Sequence, residues 1–149
     1  MKLRALVIDD SRVMRNLVMT TLRRTRLAEF EFTEAEDGAD GLAKFDATTD
    51  IVFADWNMPN MTGVEFARHV RAMKLEKHVP IVMITSERTS AKMDEALGSA
   101  GADAYICKPF TADDVERKLA RVVAGVETKS PPPARTVGFF SSLARSAAG

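Results

Sequence analysis

Polar residues capable of chemistry stand at the ends of short apolar runs in this 149-residue chain. Asp9 and Asp10 follow the run "LRALVI", and Asp55 follows "IVFA". Two later runs end on the hydroxyl of Thr85 and the ammonium group of Lys108. Burial in a core does not explain charged groups at such positions. These five residues are therefore the first candidates for a functional site.

The three carboxylates suit a hard divalent cation. Carboxylates about 4 Å apart repel by roughly 4 kcal/mol per pair at an effective dielectric constant near 20, so a bare cluster is unfavourable. A divalent cation reverses that balance, and oxygen ligands with room for waters and phosphate oxygens suit Mg²⁺. The pattern predicts a magnesium site wherever the fold brings the three acids together.

A cation, a hydroxyl and an ammonium group together suit a small tetrahedral dianion such as a phosphoryl group. No histidine or cysteine ends an apolar run, and no Gly-rich phosphate loop follows the first one. Asp55 is therefore the predicted acceptor, through acyl-phosphate chemistry in which the protein mostly positions groups and neutralises charge. A single acid in such a place is as often a helix cap, and Asp10 before Ser11 fits that alternative.

The elements that must position these residues are alternating strands and helices. The apolar runs cover residues 3–9, 31–35, 50–55, 80–86 and 104–108, with segments of helical period between them. Such alternation predicts a doubly wound α/β fold, a parallel sheet covered on both faces. If the strand order is 2-1-3-4-5, the first and third strands are neighbours, and their acids meet at the carboxyl edge where ligands bind.

Apolar residues at helical spacing predict the buried faces of three helices. The residues are Met14, Leu17, Val18 and Leu22 in the first; Phe66, Val70 and Met73 in the middle; and Val115, Leu119, Val122 and Val126 in the last. Ser11, Ser90 and Thr111 are the predicted helix starts, because a hydroxyl can accept a hydrogen bond from a free first-turn amide.

Composition narrows the class of protein. A hydrophobic content of 46% in 149 residues supports one core. The 21 basic and 21 acidic residues leave no net charge to attract DNA or an anionic membrane. Cys107 is the single cysteine, and no apolar run approaches membrane-spanning length. The start "MKLRALVIDD" has too short an apolar run, with acids too soon after it, to predict a signal peptide. We expect a cytoplasmic protein that neither binds DNA nor inserts into a membrane.

Four motifs resemble those of a known family. "DDS", "DWNMPNMTG", "ITS" and "CKPF", in this order and at these separations, are similar to the receiver domain of two-component response regulators, and most similar to CheY-like single-domain chemotaxis regulators. The resemblance covers residues 3 to about 126. It implies a flavodoxin-like receiver in which five helices flank a five-stranded parallel sheet.

The resemblance also implies roles for the acidic residues. Asp55 would take a phosphoryl group from a phosphohistidine kinase. Asp10 and Asp55 would bind Mg²⁺ together with the main-chain carbonyl of Asn57, while Asp9 would assist through water. The partners implied are a histidine kinase and a flagellar motor switch protein or other output protein.

The remaining strand-end residues receive roles in the same way. Thr85 and Lys108 would hold phosphoryl oxygens, and the bond between Lys108 and Pro109 would be cis. Tyr105 matches the aromatic residue that turns inward when Thr85 moves toward the phosphoryl group. Such a protein is a signalling receiver and not a turnover enzyme, since it catalyses only its own phosphoryl transfer and dephosphorylation.

Two features are not determined by the resemblance. The segment between Thr85 and Tyr105, "SERTSAKMDEALGSAGADA", is slightly longer than the family pattern, so the switch surface around the fourth helix stays open. Trp56 directly follows the predicted acceptor, and the simplest interpretation of its side chain is surface packing.

The chain changes character near Ser130. The sequence "SPPP" cannot continue a helix, and no apolar stripe beyond it is long enough to join the core. These observations predict a receiver domain at residues 1–127 and a proline-containing tail at 128–149. No acidic residue follows Glu127, so the tail carries a charge of +3 and residues 1–127 carry −3.

The tail has two interpretations. On composition alone it is the stub of a linker. Against this, it contains two adjacent phenylalanines and a helix candidate too short to be stable by itself, and it resembles the tails of CheY-like cyclic di-GMP effectors that act on the flagellar motor. Guanidinium groups can pair with guanine, and phenyl rings can stack on bases. The candidate ligand-binding residues are Arg135, Phe139, Phe140, Ser141, Ser142 and Arg145.

Three functions are therefore open from the sequence. They are a phosphorylated receiver with a motor or kinase partner, a receiver scaffold whose main input is cyclic di-GMP, and a hydrolase with an aspartate nucleophile. The first two can hold together. The hydrolase is disfavoured because such enzymes need an acid two residues after the nucleophile on the first strand, where Ser11 stands here.

Overall fold

The computed structural model describes residues 1–86 and 89–126. The strands are β1 (Lys2–Ile8), β2 (Glu29–Ala35), β3 (Ile51–Asp55), β4 (Ile81–Thr85) and β5 (Ala104–Cys107). The helices are α1 (Arg12–Arg24), α2 (Gly38–Lys44), α3 (Gly63–Ala72), α4 (Ser90–Asp94) and α5 (Ala112–Ala124), and a π-helical turn, Glu95–Ser99, continues α4. In the described residues no helix is long and apolar enough to cross a membrane.

The five strands form one parallel sheet in the order β2-β1-β3-β4-β5, which confirms the predicted fold class. Every residue of β3 and β4 is buried, as expected of central strands covered on both faces. Ile8 pairs with Ala54 across β1 and β3. Since Asp9 and Asp55 are the next residues on these strands, they reach the same carboxyl edge.

Two apolar layers cover the sheet, and alternate residues of β3 supply both. Val52 and Ala54 face a cluster that includes Phe66 and Val70 of α3. Ile51 and Phe53 face the opposite cluster, formed with α1 and α5. The strand that ends in Asp55 is therefore held by packing on both of its faces.

The helix starts follow the predicted hydroxyl caps. Ser11 and Thr111 are the N-caps of α1 and α5, and each accepts a hydrogen bond from an amide of the first turn. In α4 the cap is Thr89, one residue before the predicted Ser90.

Two residues assigned to buried helix faces are exposed. Leu17 is 48% exposed, because α1 turns Val18, Met19 and Leu22 toward the core instead. Met73 is 41% exposed because α3 ends at Ala72, which places Met73 in extended backbone after the helix. These two predictions were wrong, since helical spacing alone does not locate the centre or the end of a buried face.

The π-helical turn Glu95–Ser99 lies in the segment between β4 and β5, whose sequence is slightly longer than the family pattern. Its defining bond runs from the Ala100 amide to the Glu95 carbonyl, 2.9 Å, and a turn of this kind accommodates one additional residue in a helix. Ala96 and Ala100 remain buried in the cluster that contains Tyr105. These two alanines thus keep the inner face of the turn packed in the core.

Two glycines near this turn should respond in opposite ways to alanine. A Cβ at Gly98 meets nothing within 4 Å, so Gly98→Ala should raise the free energy of unfolding by about 0.5 to 1 kcal/mol. Gly101 has φ +79°, and a Cβ there would lie 2.9 Å from Arg71 Cγ. Gly101→Ala should therefore lower the free energy of unfolding. Urea denaturation of both variants measures the difference. Destabilisation by Gly98→Ala would contradict the local structure described here.

Candidate functional site

The acids predicted to form a site lie together at the carboxyl edge of the sheet. One carboxylate oxygen from each of Asp9, Asp10 and Asp55 lies within 4.8 Å of the others. The side chains of Asp9 and Asp55 are only 5% and 10% exposed, whereas Asp10 is exposed. The cluster thus has two buried carboxylates and one that faces solvent.

Asp9 is fixed by its neighbours on three sides. Its Oδ1 accepts a hydrogen bond from the Ser11 amide, 2.9 Å, and its own amide donates to the Ala35 carbonyl of β2, 3.0 Å. Its carbonyl accepts from Arg15 Nη1, 2.7 Å, while Arg15 Nε bonds Glu34. Arg15 was not identified from the sequence, because nothing in the spacing shows that a residue of α1 returns to the end of β1.

Asp10 does not cap α1. The cap is Ser11, whose hydroxyl accepts from the Met14 amide at 3.2 Å. The interpretation of Asp10 as a helix cap is therefore wrong, and its carboxylate is left for the acidic cluster.

The backbone after Asp55 turns sharply back on itself. The Gly63 amide donates to the Trp56 carbonyl, 3.0 Å, and a Cβ on Gly63 would overlap the Asp55 carbonyl oxygen. Asn57 is exposed on this loop between the buried side chains of Trp56 and Met58. Asn57, two residues after Asp55 in the chain, is therefore on the exposed side of this turn.

Lys108 links the two buried acids. Its Nζ lies 3.3 Å from Asp55 Oδ1 and 3.7 Å from Asp9 Oδ2. Its amide donates to the Thr85 carbonyl, 2.9 Å, and the bond to Pro109 is cis, as the resemblance implied. Thr85 is fully buried at the end of β4, where it pairs with Cys107. The ends of β4 and β5 thus bring a hydroxyl and an ammonium group to the same edge.

The site is electrostatically unfavourable at neutral pH without further positive charge. Burial, and then the charge of Asp9, raise the pKa of Asp55 to about 6, although Lys108 partly offsets them. Burial also raises the pKa of Asp9. Folded Asp55 keeps its proton to a higher pH than the unfolded chain, so its contribution to stability is lost as pH rises from 3.8 to about 6. These clustered oxygen donors fit a hard divalent cation such as Mg²⁺.

The aromatic residues behind the site are buried together. Tyr105 and Trp56 are each 6% exposed, and their rings meet edge to face with centroids 6.5 Å apart. Lys92 Nζ of α4 lies 5.0 Å from the centroid of the Trp56 ring. The interpretation of Trp56 as surface packing is therefore wrong, because the turn after Asp55 directs this side chain inward.

Family comparison agrees with this geometry. Residues 5–120 match the family profile of the response regulator receiver domain. The chain belongs to this family. It is a CheY-like receiver of the chemotaxis type and thus a signalling protein.

Its relatives include named chemotaxis proteins. It is 41% identical over 123 residues to chemotaxis protein CheY1 of Helicobacter pylori strain J99, covering 81% of this chain and 97% of that protein. A structure of Vibrio cholerae CheY4 has a TM-score of 0.71 at 36% identity, covering 82% of this chain and 99% of that one.

The receiver domain of the sensor histidine kinase PA1611 from Pseudomonas aeruginosa has a TM-score of 0.70, covering 84% of this chain and all of its own. That structure holds a magnesium ion in its active-site cleft. At 24% identity it shows a shared fold.

The tail candidates lie outside the described residues. They are Arg135, Phe139, Phe140, Ser141, Ser142 and Arg145.

Substitution of Asp10 should separate metal binding from capping. Asp10→Asn should weaken Mg²⁺ binding yet leave the melting temperature in chelator unchanged or higher, because it removes repulsion and no helix cap. Ser11→Ala is the matched control, since it removes the true cap and should cost about 1 kcal/mol of stability. Thermal melts and Mg²⁺ titrations of both variants provide the comparison. A clear loss of metal-free stability in Asp10→Asn would show that Asp10 supports the fold.

Proposed function

We propose that this receiver is phosphorylated on Asp55 by a histidine kinase in a reaction that requires Mg²⁺. The observation that carries the proposal is Lys108 Nζ lying between two nearly buried carboxylates, 3.3 Å from Asp55 and 3.7 Å from Asp9. An ammonium group held there can pass from a carboxylate to an incoming phosphoryl group without leaving the site. The arrangement suits phosphoryl transfer, in which positioning and charge neutralisation do most of the work.

The chain offers distinct metal ligands in this proposal. Asp10, Asp55 and the Asn57 carbonyl would hold Mg²⁺ directly. Asp9 would act through water, which agrees with the hydrogen bond that its Oδ1 already accepts from the Ser11 amide. Bound Mg²⁺ supplies positive charge that offsets the repulsion between the carboxylates and the phosphoryl oxygens.

The covalent step is an exchange of one phosphorus bond for another. A carboxylate oxygen of Asp55 attacks the phosphorus, the phosphorus–nitrogen bond of the phosphohistidine breaks, and its electron pair stays on the imidazole nitrogen. Lys108 then pairs with one phosphoryl oxygen, and the Thr85 hydroxyl donates a hydrogen bond to another. Attack of water on the same phosphorus returns Asp55 and releases inorganic phosphate. The chain thus catalyses only its own phosphorylation and dephosphorylation.

The output would pass through the aromatic contact behind the site. In this proposal Thr85 moves toward the phosphoryl group, and the ring of Tyr105, which is already buried, shifts into the space that Thr85 leaves. Tyr105 contacts Trp56, and Trp56 lies beneath Lys92 of α4, so a shift of either ring reaches the α4 surface. Because relatives are named as chemotaxis proteins, we propose a flagellar motor switch protein as the cytoplasmic target, with another output protein as the alternative.

We also propose that the tail at 128–149 binds cyclic di-GMP. The tail carries +3 against −3 for residues 1–127, and two arginines flank a pair of phenylalanines. Arg135 and Arg145 would pair with guanine or phosphate, Phe139 or Phe140 would stack on a base, and Ser141 and Ser142 would cap a short helix formed with the ligand. The alternative is a phosphorylation-only receiver with a linker-like tail.

Substitution of the acceptor tests the first proposal. Asp55→Asn should not gain a phosphoryl group from a small phosphodonor in Mg²⁺, because an amide cannot attack phosphorus, and its fold should stay intact. Asp46→Asn is the matched control, since it makes the same change in the loop before β3 at the amino edge, and it should be labelled like the wild type. Intact-mass spectrometry measures the gain. A phosphorylated Asp55→Asn would contradict the assignment.

Truncation and arginine variants test the second proposal. In calorimetric titrations with cyclic di-GMP, Arg135→Ala and Arg145→Ala should each lose about 1 to 3 kcal/mol of binding free energy. A chain ending at Glu127 should not bind, whereas Asp55→Asn should bind like the wild type because the two sites are separate. Lys129→Ala is the control for the loss of one positive charge from the tail, since it leaves both arginines in place. Equal affinity in the truncated chain would move the nucleotide site onto the receiver, with Arg117 and Arg121 as the next candidates.

A further inference from the structure

One side-chain pair ties the loop after the acceptor to the start of α2. Asn60 Nδ2 donates a hydrogen bond to Asp37 Oδ2, 2.9 Å. The other oxygen, Asp37 Oδ1, accepts from the Asp40 amide at 2.7 Å as the N-cap of α2. The carboxylate of Asp37 therefore does two things at once, since one oxygen caps a helix and the other holds the loop.

The loop is held in an unusual conformation at the tie. Asn60 has φ 69°, the left-handed region, and in the described residues no other non-glycine residue has a positive φ. The adjacent backbone lies directly on α2, because the Gly38 amide donates to the Met61 carbonyl, 3.3 Å, and a Cβ on Gly38 would lie 2.6 Å from Met61 Cγ. Asparagine adopts this conformation more readily than most residues, which lets its amide reach Asp37.

The start of α2, which carries Asp37, is held by further hydrogen bonds and is connected to the acidic cluster. Asp40 Oδ2 accepts from the Glu36 amide, 3.1 Å, which closes the first turn of α2 around Asp37. One residue earlier, the Ala35 carbonyl accepts from the Asp9 amide, 3.0 Å. Hydrogen bonds to Asp40 and then Asn60 lower the pKa of Asp37, so the acceptor is ionised at neutral pH and the bond is charge-assisted.

The tie fixes the middle of the loop, whereas other contacts fix its ends. At one end, Trp56 and Met58 are buried in the core. At the other end, Thr62 and Glu65 form the capping box of α3. Asn57 is exposed between Trp56 and Met58, three residues before Asn60, so the bond from Asn60 to Asp37 limits the motion of the backbone that continues from Asn57.

We propose that Asp37 and Asn60 are positioning residues, which hold the loop at 56–62 so that the Asn57 carbonyl stands ready as a metal ligand beside Asp10 and Asp55. The inference rests on the proposed function, because it takes Mg²⁺ to bind at those three residues. A ligand on an untied loop must be ordered when the cation binds, whereas a tied loop is ordered beforehand, and supporting interactions of this kind tune metal affinity.

The direct test is Asn60→Gly. Glycine adopts a positive φ without strain and leaves the net charge unchanged, so the variant removes the tie and little else. The Mg²⁺ dissociation constant, measured from amide chemical shifts during a titration, should rise about 3- to 10-fold, the scale of one hydrogen bond. In chelator, hydrogen exchange at the Gly63 amide should be faster than in the wild type, which reports on the loop with no metal present.

A double variant restores the bond in reverse. Asp37→Asn combined with Asn60→Asp exchanges donor and acceptor at constant net charge, and asparagine is still a good N-cap. The Mg²⁺ affinity and the exchange rate of the Gly63 amide in the double variant should both lie closer to the wild-type values than those of Asn60→Gly do. No rescue in the double variant would overturn the assignment of the effect to this pair.

The matched control is Thr48→Ala at the opposite edge of the sheet. It removes another exposed side-chain bond, from Thr48 Oγ1 to Asp46 Oδ1, 2.6 Å, and leaves the charge unchanged. Its Mg²⁺ affinity should equal that of the wild type. If Asn60→Gly binds Mg²⁺ as the wild type does, or Thr48→Ala is equally weakened, the inference is wrong. A wild type that does not bind Mg²⁺ would instead overturn the metal site itself, and the inference with it.

Discussion

Repulsion between Asp9 and Asp55 is the constraint on which the rest of this structure depends. Two carboxylates are nearly buried at the ends of neighbouring strands. Burial raises the pKa of both, and the charge of Asp9 raises that of Asp55 further. Lys108 offsets only part of this cost. An arrangement that is unfavourable alone becomes favourable with a divalent cation, which makes the site responsive to charge and suited to receive a phosphoryl group.

The fold maintains these groups at short distance against their repulsion. Packing on both faces of β3 fixes Asp55, while hydrogen bonds to β2 and α1 fix Asp9. Strand β3 continues into a loop that directs Trp56 inward, where its ring meets Tyr105 and lies beneath Lys92. In the proposed function, these packed side chains are the path by which phosphorylation at the carboxyl edge would act on the surface of α4.

The predictable part of this structure is the part encoded by local pattern. Strand ends and caps such as Ser11 follow from periodicity and hydroxyl chemistry, whereas the sheet order enters as an assumption that fits the resemblance to receiver domains. The inward side chain of Trp56, the π-helical turn and the pairing of Asp37 with Asn60 could not be predicted in this way. They depend on residues that meet only after the layers have packed. The same holds for Leu17, since spacing shows that α1 has an apolar face but not which neighbours cover it.

The measurement that tests this account most directly is the proton released when Mg²⁺ binds. In the metal-free protein Asp55, with its pKa of about 6, is partly protonated near that pH. A cation that binds the ionised form should displace this proton at about pH 6 and none at about pH 8, as calorimetry in buffers of different ionisation enthalpy can show. Asp55→Asn should reduce the release to the part that Asp9 contributes. Mg²⁺ binding at about pH 6 without proton release would contradict the claim that buried, mutually repelling carboxylates form this site.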